Sequence, residues 1–341
     1  VTAMAMQQYE RRFRAMGTDV VLWLWHSDRQ RAQRALAYVQ RFFLQTEARL
    51  SRFRPHSELS RLNRGAGRPF RASSMLFTLV KSALDWRVRT GGIFDPTVLH
   101  ALLAWGYDRS FDIMQTQPAH SEEDTDALRR PGQPLWAAPR PAAATAGEIV
   151  LGPRGQIQLP AGLGLDLGGI AKGWTIQQAA RRLGALGPAL VDGGGDIACV
   201  GAPPDGPWMV SVADPQTLEQ DVAFLPLSNQ AIATSSQARR RWLHKGQPAH
   251  HLIDPRTGAP ARTNILSATV LASRLPDAEI YAKTALILGE EEGLAYLRTL
   301  PSLSWLLISA DGRQQFNDSF EKQAYAPASN NFADRFQVPT A

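Results

Sequence analysis

A mixed fold of the α+β kind, built as one large domain or as two intimate subdomains, is predicted by three observations. Apolar runs of strand character alternate irregularly with segments of helical periodicity along most of the chain. The 341 residues are 44% hydrophobic, which supplies a large core and excludes a disordered protein. No stretch reaches the roughly 18 to 20 apolar residues that a membrane-crossing helix requires, so membrane insertion is not expected.

Residues 11 to 26 predict a strand centred on VVLWLW, and residues 29 to 50 a long amphipathic helix ending near Leu50. The polar segment SRFRPHSELSRLNRG, punctuated by Pro55 and Gly65, predicts a loop with a short helix. Helical periodicity resumes over 73 to 89, TGG stops it, and FDPTV predicts a short ordered turn. Between 112 and 148 the composition shifts to Pro, Ala, Gln and Glu, an excursion within a domain expected to span 11 to 322. Strands at IVLG, QIQLP and ALVDGG then surround a helix at 172 to 184, followed by strands at WMVSVA, VAFLPLS, QAIATS and ILSATVLA. DAEIYAKTALILG predicts a helix capped by Asp277 and stopped by Gly289. SWLLISADGRQQF predicts a hairpin arm, and 323 to 341 a C-terminal tail that is loose or draped over the surface.

The 37 basic residues against 31 acidic ones leave a formal charge of +6, and lysine occurs only at 81, 172, 245, 283 and 322. So mild an arginine-based surplus fits a solvated face or small-anion binding, and no nucleic-acid partner is expected. Cys199 is the single cysteine, so an internal disulfide or a cysteine-based metal cluster is excluded. The opening residues, VTAMAMQQYERRF, contain no signal-peptide core or acylatable cysteine. A cytoplasmic location is the expectation, with a processed exported form left open because the chain begins with Val1.

Three segments have the composition of a site. GLGLDLGGIAKGWTI places Asp166, Gly168, Gly169, Lys172 and Gly173 directly before helical periodicity. Glycines admit a phosphate close to the backbone, a helix N-terminus offers free N–H groups, and a lysine adds a point charge; together they describe a diphosphate cradle, or else a turn with a solvated lysine. Its spacing is neither a P-loop nor a dinucleotide fingerprint. ALVDGGGDIACVG carries Asp192, Gly195 and Asp196 around a glycine triplet, which suits close ligand approach or a plain strand-to-turn junction. HHLIDPRTGAP gathers His250, His251, Asp254, Arg256 and Thr257 in one loop, able to meet phosphate or move a proton, or simply to form a rigid turn. Two adjacent histidines do not make a zinc site without a third ligand at useful spacing.

Taken in order, RFRAMGTDV, RLSRFRPHSELSRLN, GGIFDPTV with AWGY, LDLGGIAKGW, ALVDGGGDIACVG, AIATSS, HHLIDPRTG and the AKTALILG helix resemble the ApbE-type flavin transferases. Those enzymes cleave the diphosphate of FAD and attach FMN through a phosphoester bond to a threonine of a target protein. The resemblance implies a T-fold-related mixed α/β fold with a central FAD cleft. It sets Met16 and Gly17 beside the flavin or its ribityl chain, and Ser60 and Asn63 in a loop near it. Asp95 and Tyr107 would organise the cleft, with Tyr107 or Trp105 available for stacking. Gly169 and Lys172 would face the diphosphate, and Gly195 and Asp196 would form the second glycine turn. His251 and Thr257 would border the phosphate and the incoming threonine, whose hydroxyl His251 or Asp254 would deprotonate or orient. Mg2+ is implied as the Lewis acid, held by the Gly168 region of the loop and by Glu279.

Four residues depart from the family pattern. Glu279 stands where the metal-binding helix commonly has aspartate, Lys283 where it has threonine, Gln177 where an aspartate follows AKG, and Ser236 where a glycine follows TS. A protonated Lys283 cannot ligate Mg2+, but it can fill the ion's place and pair with the diphosphate, or form an ordinary i,i+4 helix pair with Glu279 worth about 0.2 to 0.5 kcal/mol. The resemblance therefore implies FMN transfer from FAD to a protein threonine with release of AMP. Two alternatives stand beside it: an FAD-binding protein without transfer activity, and an FAD diphosphatase releasing FMN and AMP. The partners implied are FAD and a flavin-accepting redox protein.

Overall fold

The alternating run from residue 11 to 26 forms two strands rather than one. In the computed structural model, which describes residues 5–116, 149–217, 219–238 and 240–325, Gln7–Ala15 and Thr18–His26 pair antiparallel with Ala15 opposite Thr18. Met16 and Gly17 supply the turn with φ of 56° and 69°, both left-handed, and such turns match the twist of a two-residue hairpin. Apolar alternation continues on both sides of the turn, which hides the break in the sequence. Residues 117–148 of the expected excursion, and most of the expected tail, lie outside the described residues.

The chain divides into two compact units. One takes the described parts of Val1–Glu47, Gly168–Arg239 and Arg262–Ala341, the other those of Ala48–Leu167 and Arg240–Ala261. The first unit holds an eight-stranded sheet in which every neighbouring pair is antiparallel. The hairpin strands are followed in spatial order by Ala189–Gly193, Ile197–Val200, Ala231–Ser236, Ile265–Ala272, Ser304–Ser309 and Gln314–Phe316. Its central strands are buried on both faces. Trp23, Leu190, Ile232, Leu271 and Leu306 point toward the Trp208–Ala213 and Asp221–Leu227 hairpin and form one core with it. On the same strands the alternate residues Leu22, Val191, Ala233, Val270 and Leu307 are also buried, as period-two geometry requires of a sheet covered on both sides. Helix Ala171–Gly184 packs on the strands around Ala189–Gly193, and helix Leu275–Leu288 on Ala231–Ser236 and Ile265–Ala272. Cys199 is buried here, its thiol pushed up to about 11 by that burial, which makes it an unreactive core residue.

The helix expected to be capped by Asp277 starts earlier. Arg274 is its N-cap and makes no side-chain cap bond, Pro276 occupies the first turn, and Asp277 lies inside that turn. Proline fits there because its missing N–H would have had no helical partner. Gly289 ends the helix at φ 85°, as expected.

The second unit contains helices Glu58–Arg64, Ser74–Arg89 and Leu99–Ala104 and the three-stranded sheet of Pro69–Arg71, Gln156–Gln158 and Val150–Gly152. It also holds two hairpins, Arg241–His244 with Gln247–His250 and Ile253–Asp254 with Ala259–Pro260. Ser57 and Ser73 cap the first two helices by accepting from Ser60 N and Leu76 N, and buried Glu58 ties the caps together by accepting from the Ser73 hydroxyl at 2.7 Å. Among the described residues no helix is long and apolar enough to cross a membrane.

Candidate functional site

In the first unit the two glycine segments meet at Lys172. The residue lies within the first turn of helix Ala171–Gly184 rather than before it, and that helix has no side-chain N-cap. Its ammonium pairs with the Asp196 carboxylate and donates to the Gly193 carbonyl at 3.3 Å. Asp196 also accepts from Thr234 N at 3.2 Å, which fixes it against the neighbouring strand. The glycine turn is held by two aspartates: Asp192 accepts from Gly195 N at 2.8 Å through its side chain, and Asp196 accepts from Gly193 N at 3.0 Å through its main-chain carbonyl. The Met16–Gly17 turn lies at the same end of the sheet. Val20 pairs with Gly193, and a Cβ on Gly194 would come 2.1 Å from Thr18 Oγ1, so only glycine fits there.

Glu279 and Lys283 lie beside this cluster. Glu279 is buried and accepts the Gly173 N–H at 3.1 Å, while the Lys283 ammonium donates to the Gly169 carbonyl at 3.1 Å. Burial pushes the Glu279 carboxyl up to about 7, opposed chiefly by the charge of Lys283. These donors do not fit a divalent cation. Mg2+ demands near-octahedral oxygen ligands, an ammonium can donate none, and the Gly169 carbonyl already accepts from one. Among the described residues no three His, Cys, Asp or Glu side chains gather as a metal site.

Gln177, expected as the loss of an acid, serves the fold instead. Its side-chain carbonyl accepts Leu275 N at 2.7 Å and so satisfies the uncapped start of helix Leu275–Leu288. Ser236 ends the Ala231–Ser236 strand and accepts from Ala238 N at 3.0 Å. Thr284 carries no signal in the sequence. It is fully buried, and its hydroxyl has no hydrogen-bond partner among the described residues.

The second unit brings the other named residues into two groups. Tyr107 is buried, stacked on Trp242 with centroids 5.2 Å apart, and the Arg52 guanidinium lies 4.6 Å from its ring. Arg52 pairs with Asp166 at 2.7 Å, which accounts for that aspartate. Trp105, half-buried, donates to Gly258 O at 3.1 Å and accepts from Trp242 Nε1 at 2.8 Å through its own carbonyl. Asn63 clasps the backbone of Leu165 by donating to its carbonyl at 2.8 Å and accepting its N–H at 2.9 Å, and Ser60 donates to Arg52 O at 3.2 Å.

The second group surrounds a pocket of about 400 Å3 lined by Arg87, Gly91, Gly92, Asp95, Pro255 and Arg256, among others. It joins the GGIFDPTV and IDPRTG motifs. Asp95 pairs with Arg87 at 2.8 Å and accepts from Thr97 N and Oγ1 at 2.8 and 2.7 Å, so its carboxylate shapes the turn. Asp254 accepts from Arg256 N, Nε and Nη2, and its carbonyl accepts from Thr257 N, Gly258 N and the Thr257 hydroxyl. These bonds commit the Asp254 carboxylate to the Arg256 guanidinium, and Asp254 is a holder of the loop. Thr257 is exposed on that loop, and His251 is half-buried just before it. His250 accepts from Leu252 N at its Nδ1, so Nε2 carries the proton and donates to Ala261 O at 3.0 Å.

A family model described as the ApbE family matches residues 16–307. The FAD:protein FMN transferase of Treponema pallidum (strain Nichols) is 32% identical over 295 residues, covering 82% of this chain and 78% of that protein. Among solved structures, the ApbE protein of Thermotoga maritima superposes with a TM-score of 0.77 at 22% identity, covering 93% of this chain and 99% of that one. The flavin transferase ApbE from Vibrio cholerae does so with a TM-score of 0.72 at 26% identity, again covering 93% and 99%. The expected mixed α/β fold of this family is thus the fold observed.

Proposed function

This chain belongs to the ApbE family, and from that premise we propose that it binds FAD and transfers the FMN portion to a threonine hydroxyl of a flavin-accepting redox protein, releasing AMP. The observation that carries this reading is the convergence of both glycine turns on the Lys172 ammonium in the first turn of a helix. The positive end of the helix dipole, close backbone approach and a positive point charge favour a diphosphate, and they favour it more as negative charge shifts to the leaving phosphate.

In the reaction the acceptor oxygen forms a bond to the FMN phosphorus as the anhydride bond to AMP breaks, and the hydroxyl proton passes to a base. Asp254 is held by Arg256, so His251 takes the base role in this reading, with Thr257 and the turn around it positioning the acceptor. Asp95 shapes the neighbouring turn and leaves the pocket backbone fixed. A second reading, FAD binding without transfer, is favoured by one observation: the Lys283 ammonium on the Gly169 carbonyl.

The test is incubation of the purified chain with FAD, with and without a threonine-bearing acceptor protein, following AMP and FMN by chromatography and covalent flavin by fluorescence in a denaturing gel. Transfer gives AMP and a fluorescent acceptor band. Free FMN with AMP in either arm indicates hydrolysis, and tight FAD binding with no product supports the second reading. Lys172→Met should weaken FAD binding at least tenfold; unchanged affinity would remove Lys172 from the diphosphate site.

A further inference from the structure

We propose that Lys283 is a built-in countercation for the ligand's diphosphate, so that this chain holds FAD without a divalent metal. The inference rests on the flavin reading above and deepens it. Lys283 lies one helical turn after Glu279, on the same face, and its ammonium reaches the Gly169 carbonyl in the turn that opens helix Ala171–Gly184. Lys172 lies on that helix's first turn, paired with Asp196. Two ammonium groups therefore belong to one glycine-lined helix start, with the buried side chains of Asp196 and Glu279 beside them.

An incoming diphosphate adds negative charge at a place already supplied with two cations, whereas a divalent ion would add positive charge beside both. The oxygen atoms that such an ion would need are engaged: Gly169 O accepts from Lys283, one Glu279 oxygen accepts from Gly173 N–H, and Asp196 accepts from Lys172 and Thr234 N. A tethered ammonium does not dissociate, so its electrostatic contribution to diphosphate binding persists at any metal concentration. It presents a compact point charge of the kind that binds phosphate without directional ligation.

The experiment uses Mn2+ as the probe ion, read by the electron paramagnetic resonance signal of the free ion, with the whole chain in the presence and absence of FAD. Wild type should leave the Mn2+ signal undiminished, and FAD should raise the thermal midpoint equally in EDTA and in Mg2+. Lys283→Thr should retain one Mn2+ per chain, at least tenfold more tightly than wild type, and its FAD affinity should become at least fivefold dependent on Mg2+. Lys283→Arg keeps a cation at the position and should behave as wild type, which guards against a folding defect in the threonine variant. Stoichiometric Mn2+ uptake by wild type would overturn the proposal, as would a Lys283→Thr variant that gains none. Absence of any FAD-induced shift would overturn the flavin reading and with it the choice of ligand, while the FAD-free Mn2+ comparison would still decide whether Lys283 stands in a cation's place.

Discussion

Gly173 and Glu279 meet backbone to carboxylate: the Gly173 N–H donates to Glu279 Oε2 at 3.1 Å, and a Cβ on residue 173 would stand 2.4 Å from that same oxygen. The contact joins the helices Ala171–Gly184 and Leu275–Leu288 and gives a buried carboxylate a backbone partner.

Gly173→Ala should therefore destabilise the fold. Overpacking costs roughly 1 to 3 kcal/mol and the disturbed bond about 1 kcal/mol, against a helix-propensity gain of about 1 kcal/mol. A net loss of about 1 to 3 kcal/mol is expected, read as a lower urea midpoint at unchanged slope. A raised midpoint would mean that Glu279 swings aside freely.

Asn63 presents a different balance. Both ends of its amide are engaged by Leu165, so Asn63→Ala removes two hydrogen bonds worth about 1 kcal/mol each and leaves two backbone groups to find other partners. A loss of about 2 kcal/mol or more is expected. If stability held while FAD affinity alone fell, the residue would be a ligand contact instead of a brace.

Much of this was legible where the relevant signal is local. ILSATVLA matches the strand Ile265–Ala272 residue for residue, and the helix read over 29 to 50 runs from Arg29 to Leu50. The loop-holding bonds of Asp254 follow from the Asp-Pro-Arg-Thr-Gly sequence itself. What escaped detection is long-range or masked by pattern. Asn63 meets a partner 102 positions away and Gln177 one 98 positions away, and no periodicity encodes either pairing. Asp277 carries the chemistry of a cap, yet Pro276 in the first turn marked the earlier start. Met16 gave no turn signal because hairpin turns usually use Asn or Gly at a left-handed position.

His250 makes stability depend on pH. Burial lowers its pKa below 6.5, and the N–H of Leu252 on Nδ1 favours the neutral ring. The unfolded chain thus binds the proton more readily than the folded one. This contribution is fully present above pH 6.5 and is lost as pH falls from there through the folded-state value. His250→Gln keeps a donor toward Ala261 and cannot titrate. Wild type should lose more unfolding free energy than the variant between pH 7 and pH 5, and equal losses would show that the ring is not held neutral.

Thr284 offers a stabilising substitution. Its hydroxyl is fully buried without a hydrogen-bond partner among the described residues, and a desolvated hydroxyl left unpaired costs about 1 to 3 kcal/mol. Valine has the same branched shape and nearly the same helix propensity, so Thr284→Val exchanges that hydroxyl for a methyl group with little change in packing. A gain of about 1 kcal/mol is expected in urea unfolding. The residue lies five positions after Glu279, about 140° round the helix, so the Glu279 and Lys283 contacts and FAD affinity should be unchanged. Destabilisation by valine, together with recovery in Thr284→Ser, would show that the hydroxyl has a partner, and a drop in FAD affinity alone would place that partner in the ligand.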